Sequence, residues 1–426
     1  MNKTRFLYGL IGLHLVFYLM ALIIGGTKIA DSYDYLYQAE NLRESGSFYA
    51  WNMNEPIKPD YFTKRTPGYA VMLYLTGSME WLILMLQNVM SIFVWWLVFR
   101  VLLKKNVREQ TAAWLILGTL VLQSNALIYA NSILSEIPFQ LALFGGFWFL
   151  LGDIDKPGNR QWLWASLCFA AALLIKPVML FFWLPLLGYA TVRAMQRKRL
   201  QVIWPVFLLP LVVLLWSAYN QKKTGYAHYT SVSTVNLKDY NTRLMLESAY
   251  GTRHADSVIS GINAMADTAS SYEARNFFIQ DTCKKLIAAN KGAYAKVHLK
   301  GMLAMLLDPG RHDYVHFYKM DEGQDGLMYK LARGNFRGMW EVIRSQSPLI
   351  VFFFFLNLLG SLLLLLLTLN GLRALPNQTM LVILLCLIIG YFWVLTGPVG
   401  TARYKSAILP LMVVLAGLGL SHLKRF

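Results

Sequence analysis

Runs of about 20 mostly apolar residues, the length a helix needs to cross a bilayer, recur along the whole 426-residue chain. Ten such segments can be drawn: 6–26, 80–102, 111–129, 133–151, 161–176, 177–193, 201–219, 347–369, 379–397 and 404–422. The first is longer than a signal-peptide core and shows no cleavage site, so it reads as an anchor. The division between 161–176 and 177–193 rests on Pro177, which interrupts one apolar run and leaves two short halves. Hydrophobic residues make up 56% of the chain and charged residues 15%, well under the roughly 25% charged residues of soluble domains. That balance excludes a water-soluble enzyme, a disordered chain and a disulfide-stapled secreted domain. Only three cysteines are present, Cys168, Cys283 and Cys386. Two of them sit in apolar runs, so neither a disulfide framework nor a metal cluster is expected.

The net charge is +17. In a soluble protein such an excess would point to nucleic acid. Here no nucleic-acid-binding motif is visible, and the charge follows the positive-inside rule for membrane proteins. With the N-terminus in the cytoplasm, Lys3, Arg5, Arg100, Lys104, Lys105, Arg108, Lys156, Arg160, Arg193, Arg197, Lys198, Arg199, Arg373, Lys424 and Arg425 collect on short connections on that side. They face only Glu109, Asp153 and Asp155 there. Ten spans return the C-terminus to the cytoplasm.

The expected organisation has three parts. Residues 1–219 form an N-terminal membrane part whose first outer loop is 27–66. Residues 220–346 form an outer region, expected as short helices packed on the membrane face, with Ile279, Cys283, Leu286 and Ile287 at helical spacing. Residues 347–426 form the C-terminal spans.

An ionisable group held near hydrocarbon costs several kcal/mol unless it is paired or hydrated, so such groups are the first candidates for function. On the outer side the span ends carry Asp31, Asp34, Lys64, Arg65, Glu136, Lys176, Arg403 and Lys405. Asp31, Asp34, Tyr35 and Gln38 fall at i, i+3, i+4 and i+7, one face of a helix. Asp31 either caps that helix or acts as a general base. Lys64 and Arg65 precede Pro67, which suits a first helical turn. They either anchor to headgroups or, with the free N–H groups of the helix start, hold a phosphate. Glu136 heads an apolar span. It serves there as a helix-start acid, or binds a sugar hydroxyl, orients a partner of Asp31 or shares a cation. Lys176, without a hydrophilic loop around it, needs a partner or must snorkel to the interface. Arg403, after the turn Gly397–Ala402, either marks the membrane edge or grips a phosphate, with Tyr404 beside it.

Three motifs carry a family resemblance. They are Asp31-Ser32-x-x-Tyr35-x-x-x-Ala39-x-x-Leu42-x-x-x-Gly46 closing with Arg65-Thr66-Pro67-Gly68-Tyr69, then Ser135-Glu136-x-Pro138-Phe139, then Gly400-x-x-Arg403-Tyr404-x-x-x-x-x-Pro410. The Lys176-Pro177 step and Leu306-Leu307-Asp308-Pro309-Gly310 are further matches. With these, the chain resembles the GT-C membrane glycosyltransferases, particularly the bacterial branch related to protein mannosyltransferases and the lipid A aminoarabinose transferase.

The resemblance implies an all-α polytopic GT-C fold with about ten transmembrane helices and periplasmic interfacial helices. It implies transfer of a sugar from a polyprenyl-phosphate donor at the periplasmic face of a bacterial inner membrane, by an inverting single displacement. Asp31 would be the base and Glu136 the second acid. Lys64, Arg65, Lys176 and Arg403 would bind the donor phosphate, and Asp34, Tyr35, Tyr69 and Tyr404 would line the substrate. The expected partners are the lipid-linked donor, a lipid or glycan acceptor in preference to a protein, and membrane lipids. The motifs fix no cofactor. A divalent cation would suit relatives with two adjacent first-loop acids, but Ser32 follows Asp31 here. A lipid-linked sugar flippase or transporter and an O-antigen polymerase or ligase are the competing readings. The early aspartate loop and the lack of an internal repeat favour the transferase.

Overall fold

In the computed structural model, residues 2–155, 158–320, 337, 340–341, 344 and 347–423 are described. Lys156, Lys424, Arg425 and the end of the 220–346 region lie outside them, apart from the few positions named. Among the described residues every regular element is helical, as expected for an all-α polytopic membrane protein.

The chain runs α1 (Lys3–Ile24), α2 (Ala30–Ser45), α3 (Pro59–Thr63), α4 (Pro67–Leu75), α5 (Glu80–Lys104), α6 (Glu109–Leu122), α7 (Asn125–Ala130), α8 (Glu136–Asp155), α9 (Asn159–Ile175), α10 (Trp183–Arg197) and α11 (Leu208–Thr224). Next come α12 (Val232–Val235), α13 (Arg243–Tyr250), α14 (Thr252–Ala266), α15 (Tyr272–Ala289), α16 (Lys291–Leu307) and α17 (Arg311–Phe317). We number the last three described helices α18 (Pro348–Gly371), α19 (Thr379–Leu395) and α20 (Ala402–Leu423).

Among the described residues, six helical stretches are long and apolar enough to span a bilayer: Lys3–Ile24, Glu80–Lys104, Glu136–Asp155, Leu200–Thr224, Pro348–Ala374 and Ala402–Ser421. The other four expected spans appear as shorter helices. The segment 111–129 is divided between α6 and α7, because Gln123 and Ser124 leave the helix to make buried polar contacts. Gln123 donates to the Asn357 carbonyl at 2.8 Å and to Ser361 Oγ at 3.0 Å. After Lys176, Pro177 opens a short 3-10 turn (Pro177–Phe181), and α10 starts only at Trp183. Proline has no N–H and fixes its φ, so it starts a turn readily and cannot continue the preceding helix.

Side chains such as Ile23, Leu214, Leu215 and Leu366 stand exposed on these helices. In water they would be an aggregation surface; against lipid they cost nothing. Inside the bundle, small residues allow close approach. A Cβ on Gly371 would lie 2.1 Å from the Leu415 carbonyl oxygen, so α18 and α20 touch through backbone at that point. Polar side chains also join helices inside the bundle, as with the His14 ring, which bonds to Ser91 Oγ at 2.9 Å and joins α1 to α5.

The 220–346 region contains α12–α17. Ile279 and Cys283 do face inward, packing on Ile259, Ile262 and Ala266, in a small core of their own. A second small core joins Met245, Leu246 and Ala255 to Val297 of α16.

Candidate active site

Four stretches far apart in sequence, with Lys176 after α9 as a fifth, bring charge to one end of the bundle. The first is α2. It starts at Ala30 with Ile29 in the cap position, and Ser32 Oγ accepts the Ile29 N–H at 3.0 Å. Asp31 is thus not the cap, and the capping alternative for it falls. Its carboxylate instead accepts from two guanidiniums. Arg65 Nη2 lies 2.5 Å from one oxygen and Arg403 Nη1 lies 2.7 Å from the other. The expected helical face forms: Asp34, Tyr35 and Gln38 are all buried.

The second stretch is the turn into α4. Pro67 takes the first helical position, where its missing N–H would have had no partner in any case. Lys64 and Arg65 therefore stand just before the helix. Asp34 receives both: Lys64 Nζ at 2.9 Å on one oxygen, and Arg65 Nε and Nη2 at 3.0 and 2.8 Å on the other. The Arg65 guanidinium also lies over the Tyr35 ring, 5.1 Å from its centroid. Gln38 Nε2 donates to the Arg65 carbonyl at 3.0 Å and fixes the backbone there.

The third stretch is the start of α8. Glu136 is buried, and its Oε1 accepts from Lys176 Nζ at 2.7 Å and from Arg403 Nε. Its other oxygen, Oε2, is buried and accepts no hydrogen bond from the described residues. The fourth is the turn into α20, where Arg403, in the first helical turn, bridges Asp31 and Glu136.

The aromatic residues divide. Tyr35 is buried, donates to or accepts from Ser135 Oγ at 3.1 Å, and meets the Tyr69 ring edge-on at 4.9 Å. Tyr69 is fully enclosed and donates to Gln87 Oε1 at 2.7 Å. It therefore backs Tyr35 from behind. Tyr404 is 43% exposed beside Arg403. Lys405, grouped with the outer charges by sequence, turns away and is buried against Ser361 Oγ at 2.7 Å. Residues two apart on a helix do not share a face, which is the signal that separates Lys405 from Arg403.

Sequence reasoning missed the contacts that hold the first loop. Asp60 accepts from Tyr272 OH at 2.8 Å and Arg275 Nη1 at 3.3 Å. The His228 ring lies 2.8 Å from Thr63 Oγ1, and Ser231 N–H donates to the Thr63 carbonyl at 3.2 Å. The 220–346 region thus grips the chain just before Lys64 and Arg65. Such contacts have no local signature, because each joins residues more than 150 positions apart.

Burial by itself would raise the Asp31 pKa. The Arg65 and Arg403 guanidiniums outweigh it and hold the carboxyl well below the usual carboxylate range. A divalent cation does not fit this donor set. Both oxygens of Asp31 and of Asp34 are engaged by guanidinium or ammonium groups, and like charge would repel a metal from that position. Three carboxylates and four cations leave one net positive charge, at a membrane-level position where a phosphate monoanion would balance it.

No curated protein matches the chain. Residues 69–219, the stretch that carries Tyr69, Glu136 and Lys176, match the dolichyl-phosphate-mannose-protein mannosyltransferase family, so the resemblance drawn from the motifs holds and the chain is similar there to membrane glycosyltransferases of the GT-C type.

Proposed function

We propose that the protein is an inverting glycosyltransferase that moves a sugar from a polyprenyl-phosphate donor to a lipid or glycan acceptor at the periplasmic face of a bacterial inner membrane. The observation that carries this reading is the Arg403 bridge between Asp31 and Glu136, completed by Arg65 on the other oxygen of Asp31. It joins one exchangeable carboxylate to two guanidiniums suited to phosphate.

The chemistry follows from that arrangement. The donor's isoprenoid tail stays in the bilayer, and its phosphate reaches the charged end of the bundle. Arg65 and Arg403 turn from Asp31 toward the phosphate oxygens and stabilise the charge that develops on the leaving group. Their departure frees a carboxylate oxygen of Asp31 and lets its pKa rise toward the ordinary value, since the guanidiniums were what held it down. Asp31 then takes the proton from the acceptor hydroxyl as the acceptor oxygen bonds to the anomeric carbon and the sugar–phosphate bond breaks. The polyprenyl phosphate leaves as an anion and needs no general acid, unlike the leaving group in two-carboxylate glycosidases. Glu136 Oε2, buried and without a partner among the described residues, can accept from a sugar hydroxyl, while Lys176 and Arg403 hold its other oxygen. Lys64 and Asp34 support Arg65, Tyr35 stacks under its guanidinium, Tyr69 backs Tyr35, and Tyr404 offers an accessible ring to the sugar. Donor binding precedes acceptor activation, because the phosphate releases the base.

The test is mass spectrometry of envelope glycolipids and glycoproteins from a strain lacking the gene. Loss of a sugar mass that wild-type protein restores and the Asp31→Asn variant does not is the expected result. An envelope unchanged by the deletion would remove the reading. A transporter would place its charges near the bilayer midplane between repeats, whereas here they gather at helix ends.

A further inference from the structure

The last helix, α20, does not start freely in front of the site; it is fastened from behind. Asp308, at the end of α16, accepts the Ala402 N–H on Oδ2 at 2.8 Å and the Gly310 N–H on Oδ1 at 3.1 Å. One carboxylate therefore closes its own turn and binds the first N–H of α20. The leading N–H groups of a helix have no partner within it, and an anion at that end is favoured by the helix dipole. One turn on, Lys405 Nζ reaches back to the Leu306 and Asp308 carbonyls at 3.3 and 3.5 Å.

The turn before α20 is held as closely. A Cβ on Gly400 would lie 1.7 Å from the Gly301 carbonyl oxygen, and one on Gly301 would lie 2.1 Å from that of Gly397. The two backbones touch there, and only glycine permits it. Trp393 Nε1 donates to the Met302 carbonyl at 2.9 Å, and the His298 ring lies 2.9 Å from the Val394 carbonyl. Together these contacts hold the segment 393–405 against α16 and the residues after it, and that segment carries Arg403, whose guanidinium must span two carboxylates on two other helices.

We propose that Asp308 is a positioning residue that sets the reach of Arg403 to Asp31 and Glu136. It touches no reacting atom; it fixes the backbone at Ala402, one residue before the arginine. The consequence for donor phosphate rests on the function proposed above, whereas the placement of Arg403 does not.

The experiment uses the purified full chain in lipid nanodiscs. Phenylglyoxal labelling followed by peptide mass spectrometry reports the reactivity of Arg403 and Arg65 separately. Undecaprenyl phosphate serves as the probe for affinity. Asp308→Asn keeps the size of the side chain but turns an N–H donor toward one of the two amides. Arg403 labelling should rise about fivefold to tenfold, the scale of one lost charge-assisted hydrogen bond, with Arg65 labelling within about twofold of wild type. Undecaprenyl phosphate should bind about tenfold more weakly, and Asp308→Asn should add nothing further in an Arg403→Ala background, as expected of two residues acting as one unit.

Unchanged Arg403 labelling in folded Asp308→Asn protein overturns the proposal. An equal rise at both arginines also overturns it, because that is general loosening. If Asp308→Asn does not fold, Ala402→Pro decides by the same labelling. It deletes the capped N–H at a position where proline suits a helix start. If Arg403→Ala leaves undecaprenyl phosphate binding unchanged, the phosphate role of the site falls, while the labelling still decides the role of Asp308.

Discussion

Helix α8 carries a carboxylate in a charged cluster near each end, and the two clusters behave differently. Near its start, Glu136 meets Lys176 and Arg403. Near its end, about 25 Å along at 1.5 Å per residue, Asp153 meets Arg193 and Arg197 at 3.2 and 2.5 Å. Beside it Asp155 meets Lys104 and Lys105 at 2.6 and 2.8 Å. The Asp153 cluster is saturated: both carboxylate oxygens are engaged, and Arg193 and Arg197 also donate to its backbone carbonyl. Its cations come from one helix, α10. The Glu136 cluster draws from four stretches of chain, leaves Oε2 without a partner among the described residues, and connects through Arg403 to an Asp31 side chain that is 30% exposed. A saturated cluster joins helix ends. A cluster with an idle oxygen, a reachable carboxylate and shared guanidiniums can exchange partners, which is what a site for an anionic donor requires.

The comparison can be broken by paired substitutions. The largest effect should come from Asp31→Asn, with transfer falling by roughly 10²–10⁴, the range for losing a general base. Its melting temperature should fall only modestly, because Arg65 keeps Asp34 and Arg403 keeps Glu136 as partners. A variant retaining turnover would remove Asp31 from that role. Asp153→Ala should do the reverse. It leaves buried Arg193 and half-buried Arg197 without their carboxylate and should cost roughly 3–5 kcal/mol of stability, read from thermal unfolding in nanodiscs, while transfer per folded molecule is unchanged. A catalytic defect in folded Asp153→Ala protein would erase the distinction between the two ends.

Smaller effects sharpen it. Arg65→Ala and Arg403→Ala should each weaken undecaprenyl phosphate binding by about tenfold, with Lys replacements recovering only part, because an ammonium lacks the two-pronged donor geometry. Equal affinity in the alanine variants would count against both residues as phosphate ligands. The smallest effect concerns pH. Asp31 has a folded pKa below its unfolded one, so the stability it contributes is present above about pH 4 and is lost only as pH falls through the depressed folded value. The melting-temperature difference between wild type and Asp31→Asn should therefore stay flat from pH 8 to pH 5 and shift only in stronger acid. A shift near neutrality would show that Arg65 and Arg403 do not hold the carboxyl down.

The sequence by itself determined that the chain crosses membranes and where its charged groups sit along it. Apolar run length is a local property, so the long spans could be read directly. Pro67 fixed the start of α4, and Glu136 proved to be the first residue of α8. The i, i+3, i+4, i+7 pattern set the buried face of α2. What only the tertiary structure decided was partnership. Asp31 and Arg403 are 372 residues apart, and no local pattern selects which cation meets which acid. Short interruptions also escaped the reading, as at Gln123–Ser124, because a buried hydrogen bond to another helix outweighs the local preference for continuing the first. The contact of Asp308 with Ala402 and the grip of the 220–346 region on Asp60 and Thr63 belong to the same class. They arise from backbone and side-chain contacts between distant segments, whose energies appear only once the helices are packed.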